Sequence, residues 1–109
     1  MTKYIIREVF TARPGQASRL AELFKKMNKE IEMGDPTKTR VLTDMVGDYN
    51  TVIMESEIDS LAEWEKEMEK YRASKNKKSP KMSAELEKEM AGYHDMFLTG
   101  HREIWQVVE

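Results

Sequence analysis

The period of the apolar positions changes several times along this chain. From Tyr4 to Ala12 the side chains alternate. Ile5, Arg7, Val9 and Thr11 take one face, and Tyr4, Ile6, Glu8, Phe10 and Ala12 take the other. Neither face is purely apolar. That predicts a central strand with helices on one side and a mixed, partly polar space on the other. Pro14-Gly15 then opens a helix, with Pro14 near its first turn. Ala17, Leu20, Leu23, Phe24, Met27 and Ile31 recur at helical spacing as one apolar stripe. Gly34 predicts the stop and Asp35-Pro36 a turn. Residues 39–46 read as a strand carrying Val41, Leu42, Met45 and Val46. Gly47-Asp48-Tyr49-Asn50 is a strong hairpin signal. The returning strand, residues 51–58, sets Val52, Met54, Ser56 and Ile58 under the helices. Thr51, Ile53, Glu55 and Glu57 fall on the opposite face.

Ser60-Leu61-Ala62-Glu63 fits a capping box, in which Ser and Glu satisfy each other's backbone donors. Leu61, Trp64, Met68 and Tyr71 continue as a stripe. Lys75-Asn76-Lys77-Lys78 breaks it and predicts an exposed loop. Ser79-Pro80 restarts a helix over residues 80–91, with Met82, Leu86 and Met90 on one face and Gly92 ending it. Residues 93–98 form a compact aromatic connection, and Gly100 turns into a last strand over residues 102–108. The order is βαββαβ. It predicts an α+β, ferredoxin-like fold with an antiparallel sheet and its helices on one face. Such a sheet leaves its second face uncovered, and a second copy of the chain is the usual cover. A homodimer is therefore expected, from one domain spanning residues 1–109.

Bulk composition removes several function classes. The net charge is −2, and the 35% of charged residues mix both signs. Nucleic acid and anionic membranes are not expected partners. The absence of Cys excludes disulfides, Cys-ligated zinc, iron–sulfur clusters and thiol catalysis. Met1-Thr2-Lys3-Tyr4 enters a strand at once, so neither a signal peptide nor a membrane span is expected, and the expected location is the cytoplasm. Nine methionines suit core filling, with a soft ligand pocket as the second reading. No phosphate loop, nucleophile elbow, HExxH or Walker pattern is present.

Arg7-Glu8-Val9-Phe10 leading to Pro14-Gly15-Gln16-Ala17, the Val46-Gly47-Asp48-Tyr49-Asn50 hairpin and Gly100-His101-Arg102-Glu103-Ile104 resemble the small dimeric α+β barrel proteins. The NIPSNAP-like and antibiotic-biosynthesis-monooxygenase-like families look most similar, over nearly the whole chain. The resemblance implies two sheets packed face to face across a dimer axis, with a cavity between sheet and helices in each subunit. Members of that superfamily include cofactor-free monooxygenases of polycyclic aromatics, haem-degrading oxygenases, lactone isomerases and proteins of no known activity. The haem-degrading branch uses an Asn on the first strand, a Trp on the second long helix and a haem-ligating His soon after. Trp64 matches the Trp. The first strand offers Arg7 and Glu8 in place of Asn, and no His follows Trp64 on its helix.

The candidate chemistry is spare. His94 lies between Tyr93 and Asp95, where it could shuttle a proton or ligate haem iron, or simply hydrogen-bond the backbone of a loop. Arg7 stands with it as a candidate catalytic residue. Trp64, Met68, Tyr71 and Phe97 are the candidate walls of a substrate pocket, and Trp64 reads equally as core. Glu8, Glu55 and Glu103 could share one face and raise one another's pKa, or pair across strands with Arg7, Arg40 and Arg102. His101 reads as exposed. Three functions follow: a small-molecule-binding barrel acting as a cofactor-independent monooxygenase of an aromatic substrate, a non-enzymatic ligand-binding or structural dimer, and a haem-binding protein. The first needs no cofactor beyond oxygen.

Overall fold

The computed structural model describes residues 3–30, 39–73 and 84–108. One antiparallel sheet carries four strands: β1 (Tyr4–Ala12), β2 (Thr39–Thr43), β3 (Thr51–Ile58) and β4 (Phe97–Gln106). Their order is β2-β3-β1-β4, which places β1 at the centre. Three helices accompany them: α1 (Ala17–Glu30), α2 (Leu61–Ala73) and α3 (Ala84–Met90). A 3₁₀ turn at Tyr93–Met96 leads into β4. This is the ferredoxin-like α+β arrangement expected from the pattern, with β1 and β3 at the bounds read from it. The predicted loop at residues 75–78, and the stops at Gly34 and Asp35-Pro36, lie outside the described residues. So do Ile31 and Met82.

Register decides which residues share a face. Phe10 pairs with Val52 and Glu8 with Met54 across β1 and β3, and Glu8 pairs with Arg102 across β1 and β4. Paired residues point the same way. Tyr4, Ile6, Glu8 and Phe10 therefore share the helix-bearing face with Val52, Met54, Val41, Arg102 and Ile104. Ile5, Arg7, Val9, Arg40, Leu42, Ile53, Glu55, His101, Glu103 and Trp105 lie on the other, open face. On the helix side, Leu20, Ala21 and Phe24 of α1 are buried with Ala12 and Val52. Phe10 packs on Phe24 at a ring distance of 5.0 Å and on Phe97 at 4.9 Å. The α1 stripe is thus the main core contact, and Leu23 is buried with it.

Four local readings change. Pro14 does not sit in the first turn of α1. It occupies the second position of a turn closed by Gln16 N–H to Arg13 C=O at 2.9 Å, with Gly15 at φ 81°. That positive φ in the third position is what glycine permits. β2 stops at Thr43, because Asp44 accepts a hydrogen bond from the Thr51 N–H at 2.9 Å and closes the hairpin early. Met45 and Val46 are consequently in the loop and exposed. Asn50 supplies the left-handed residue of this hairpin, at φ 63°. The aromatic connection is shorter than expected, and β4 starts at Phe97. Gly100 is inside the strand and not a turn. Of the helix expected over residues 80–91, the structure shows Ala84–Met90, and residues 80–83 lie outside the described residues.

Gly100 is there for space. A Cβ on it would stand 2.9 Å from the Phe10 ring, which Phe24 and Phe97 hold from two sides. Gly100→Ala should therefore destabilise the fold by about 1–3 kcal/mol through overpacking. Urea denaturation checks this, and equal midpoints for the two proteins would contradict the packing described.

Candidate functional site

The charged strand residues form two separate clusters, one on each side of the sheet. On the helix side, Arg102 of β4 donates from Nε to Glu8 Oε1 on β1. Its guanidinium also lies over the indole of Trp64, 5.1 Å from the ring centre. Glu8 and Arg102 are partly exposed, with 27% and 39% of their side chains accessible. Trp64 and Met68, one turn apart on α2, are half-buried. The start of α2 is fixed by Ser60, whose Oγ accepts from the Glu63 N–H at 3.4 Å, as the capping pattern implied. A carboxylate, a guanidinium and an aromatic face thus converge beneath α2.

On the open face, one row of charges crosses all four strands. Arg40 pairs with Glu55, Glu55 with Arg7, and Arg7 with Glu103, each opposite the next in register. Glu55 is only 4% exposed. Arg7 donates to it from Nε at 2.8 Å, and Arg40 donates from Nε at 2.9 Å and again from Nη2. Burial pushes the Glu55 carboxyl up more than any other single influence. The hydrogen bonds and charges of Arg40 and Arg7 together outweigh it and hold the group below its ordinary value. Further along, Glu103 binds His101 Nε2 at 2.9 Å with one oxygen and accepts from Trp105 Nε1 at 3.0 Å with the other. Those two bonds, His101 first, lower its pKa. The possibility that Glu8, Glu55 and Glu103 share a face is corrected by the register: Glu8 points to the helices and the other two away from them. The expected pairing with arginine is present, and divided between the two faces.

The candidate residues do not assemble into one site. Trp64 and Met68 stand with Glu8 and Arg102. Tyr71 belongs to α2, and its side chain lies outside the described residues. Arg7 is on the opposite face, clamped to Glu55. Phe97 is half-buried in the aromatic cluster with Phe10 and Tyr93. His94 is exposed on the 3₁₀ turn, its ring 4.1 Å from that of Tyr93. Two open clefts of about 420 and 360 Å³ lie beside α1 and α3. Arg19, Glu89 and Met96 line both, the Lys26–Glu89 ion pair at 3.0 Å bridges the two helices, and neither cleft includes Trp64. Among the described residues no group of His, Asp and Glu is placed to hold a metal ion, and no helix is long and apolar enough to cross a membrane. Sequence reasoning named Glu8 and Arg102 among the residues expected to pair across strands without matching one to the other, and it missed the His101–Glu103–Trp105 group. For the charge pairs the usable signal was opposite charges in separate strands, which becomes a contact only once the register is known; for the second group it was the i, i+2 spacing of His101, Glu103 and Trp105 in one strand.

No protein-family model matches the chain, and no curated protein is significantly similar to it. Solved structures do match it in fold. A NIPSNAP family protein of unknown function from Agrobacterium tumefaciens superposes with a TM-score of 0.69 at 13% identity, over 97% of this chain and 87% of its own. An uncharacterized NIPSNAP-like domain protein from Burkholderia xenovorans gives 0.64 at 13%, over 94% and 83%. A provisionally assigned antibiotic biosynthesis monooxygenase from Chloroflexus aurantiacus gives 0.54 at 16%, over 98% and 92%. The fold is therefore the one that the strand order and the quoted motifs resemble.

Acid should expose the Glu55 clamp. A carboxyl whose folded pKa is depressed stabilises the fold above its unfolded pKa, and that contribution disappears as pH falls through the folded value. Stability should thus decline as pH drops below the ordinary 4.5 of a glutamate. Glu55→Gln should cost about 1–3 kcal/mol at neutral pH, the worth of hydrogen bonds to charged partners. It should also flatten the acid slope. Urea midpoints from pH 7 to pH 3 read both, and parallel pH profiles for the two proteins would contradict the clamp.

Proposed function

We propose that this chain acts as a homodimeric barrel protein that binds a small, largely apolar or aromatic molecule between α2 and the helix-bearing face of the sheet. The observation that carries this reading is the placement of Arg102, stacked on Trp64 and paired to Glu8. The pair joins the central strand β1 to the outer strand β4 and keeps 27% and 39% of its side chains accessible, so both groups can reach a ligand. Here it supplies one donor and one acceptor beside a flat apolar ring, the combination that orients a planar ligand. Such a ligand would replace the guanidinium on the indole face and gain the stacking that Arg102 gives up.

The finer reading is cofactor-independent monooxygenation of an aromatic substrate. Glu8 would take the proton from an acidic C–H or O–H of the ligand, and Arg102 would hold the resulting anion while it reacts with oxygen. The assigned activity of the Chloroflexus neighbour supports this. The Agrobacterium neighbour of unknown function keeps the non-enzymatic reading in place. Haem binding through His94 rests on that exposed imidazole alone. The homodimer is supported by the open face, where the apolar Ile5, Val9, Leu42 and Ile53 are only half-buried. The charged row between them is internally balanced, so covering it strands no net charge.

The test uses Trp105→Phe, which leaves Trp64 as the single tryptophan. Titration with naphthol and anthrone probes should quench its fluorescence saturably. Arg102→Gln should weaken binding at least tenfold. Trp64→Ala, followed by titration calorimetry because the change removes the fluorophore, should abolish binding while costing less than the about 3–5 kcal/mol of a fully buried aromatic. Oxygen uptake with anthrone separates the oxygenase from the non-enzymatic dimer, and a Soret band on haem addition that vanishes in His94→Ala would favour haem. Sedimentation at micromolar concentration should give a dimer. Unsaturable quenching, or calorimetric binding unchanged by Trp64→Ala, would overturn the ligand reading, and a monomer would overturn the barrel.

A further inference from the structure

One group on the open face plays no part in holding a ligand beneath α2. Along β4, His101, Glu103 and Trp105 fall two residues apart and share a side of the sheet. Glu103 links them. Its Oε1 accepts from Trp105 Nε1 at 3.0 Å, and its Oε2 lies 2.9 Å from His101 Nε2. A carboxylate can only accept, so Nε2 carries the hydrogen and the lone pair of the neutral ring is on Nδ1. The indole thus holds the carboxylate, and the carboxylate holds the imidazole in one tautomer. That is how a base is oriented by a further group in nucleophilic and acid–base sites. The same two hydrogen bonds, His101 first, keep the Glu103 pKa low and the group charged at neutral pH. The His101 side chain is 59% accessible, and its Nδ1 makes no hydrogen bond among the described residues.

Register adds a second component. Arg7 pairs with Glu103, two positions along from the Val9–His101 pair, so it stands diagonal to the imidazole. Diagonal neighbours are about 7–8 Å apart, within the reach of a long side chain. Arg7 binds Glu55 through Nε, and its two terminal nitrogens make no hydrogen bond among the described residues. A base with a free lone pair and a guanidinium with free donors therefore share one stretch of the face. Between them lies Val9, apolar and half-buried. β4 is an outer strand, so this stretch is reached from the edge of the sheet. An ordinary exposed ion pair needs neither the indole that fixes the carboxylate nor the unused donors opposite it.

We propose that His101 is the general base of a second site, which hydrolyses small esters of phenols. Nδ1 removes a proton from a water molecule as the water oxygen bonds to the ester carbonyl carbon. The carbonyl oxygen becomes an oxyanion facing the terminal nitrogens of Arg7. The bond to the phenol oxygen then breaks, and the leaving phenolate takes the proton back from the imidazolium. The products are a carboxylic acid and a phenol, and no further reactant is consumed. A lone imidazole drives water only onto an activated carbonyl, which selects esters with good leaving groups. His101 and Arg7 are the catalytic residues, and Glu103 and Trp105 position the base. The site lies across the sheet from Trp64 and Glu8, so its failure leaves the ligand reading beneath α2 untouched.

The test is hydrolysis of phenyl acetate, followed by phenol release. The rate should saturate with ester, exceed that of free imidazole at equal concentration and fall in D2O, as proton transfer from water requires. His101→Ala, at an exposed position, should leave the urea midpoint unchanged and lower kcat/KM about 100-fold, the lower end of what a positioned general base contributes. Glu103→Gln should lower kcat and leave KM unchanged, because Glu103 orients the base without touching the ester. A rate no greater than that of free imidazole, a rate that survives His101→Ala, or an unchanged kcat in Glu103→Gln would overturn the site. Acetylated His101 found by mass spectrometry would make the imidazole a nucleophile and overturn its role as a base.

Discussion

The register of β1 between β3 and β4 is the constraint on which the rest depends. A side chain's face is set by its parity along the strand, so a slip of one residue would exchange the two faces completely. With Arg7 opposite Glu55 and Glu103, the charged row closes on the open side. With Glu8 opposite Arg102, a second charge pair is delivered beneath α2. With Phe10 opposite Gly100, the ring gains the room it needs against Phe24 and Phe97. All three fits fail together in any other register, and that mutual consistency is what specifies one sheet.

The same parity divides the labour of the molecule. The helix side combines the α1 core at one end with the Trp64, Arg102 and Glu8 group at the other. A rigid aromatic cluster thus sits in the same layer as a more accessible, partly polar region. The open side is balanced in charge and only partly buried, a surface suited to a partner that is itself balanced. Glu55 shows how tightly that balance is kept: a carboxylate removed from water is tolerable only because two guanidinium groups neutralise and hydrogen-bond it.

Much of the fold was legible because it rests on local signals. Alternation over Tyr4–Ala12, the α1 stripe and the Ser60 cap are properties of neighbouring residues, and the structure follows them. The misread points were glycine, proline and the reach of a strand. Gly100 looks like a turn in sequence, yet it is a strand residue kept small by Phe10, a contact 90 positions away. Pro14 sits in a turn because Gly15 follows it and takes a positive φ. Met45 and Val46 have strand-like side chains, but the Asp44–Thr51 bond ends β2 before them. The candidate site was less legible for the same reason. Trp64 was identifiable as an amphipathic-helix aromatic, whereas its partners Glu8 and Arg102 come from two strands whose pairing no local pattern reveals. His101 and Glu103 are two residues apart in one strand and became visible as a pair only when both were placed on the open face.

A double-mutant cycle on Arg7 and Glu55 tests the register most directly, because their interaction exists only if β1 and β3 pair as described. Arg7→Met, Glu55→Gln and the double variant would be compared with wild type by urea denaturation at pH 7 and low salt. The two side chains should couple by about 0.5–3 kcal/mol, the range of residues sharing one hydrogen-bonded ion pair. Strict additivity of the two single changes would contradict the pairing, and with it the assignment of residues to the two faces.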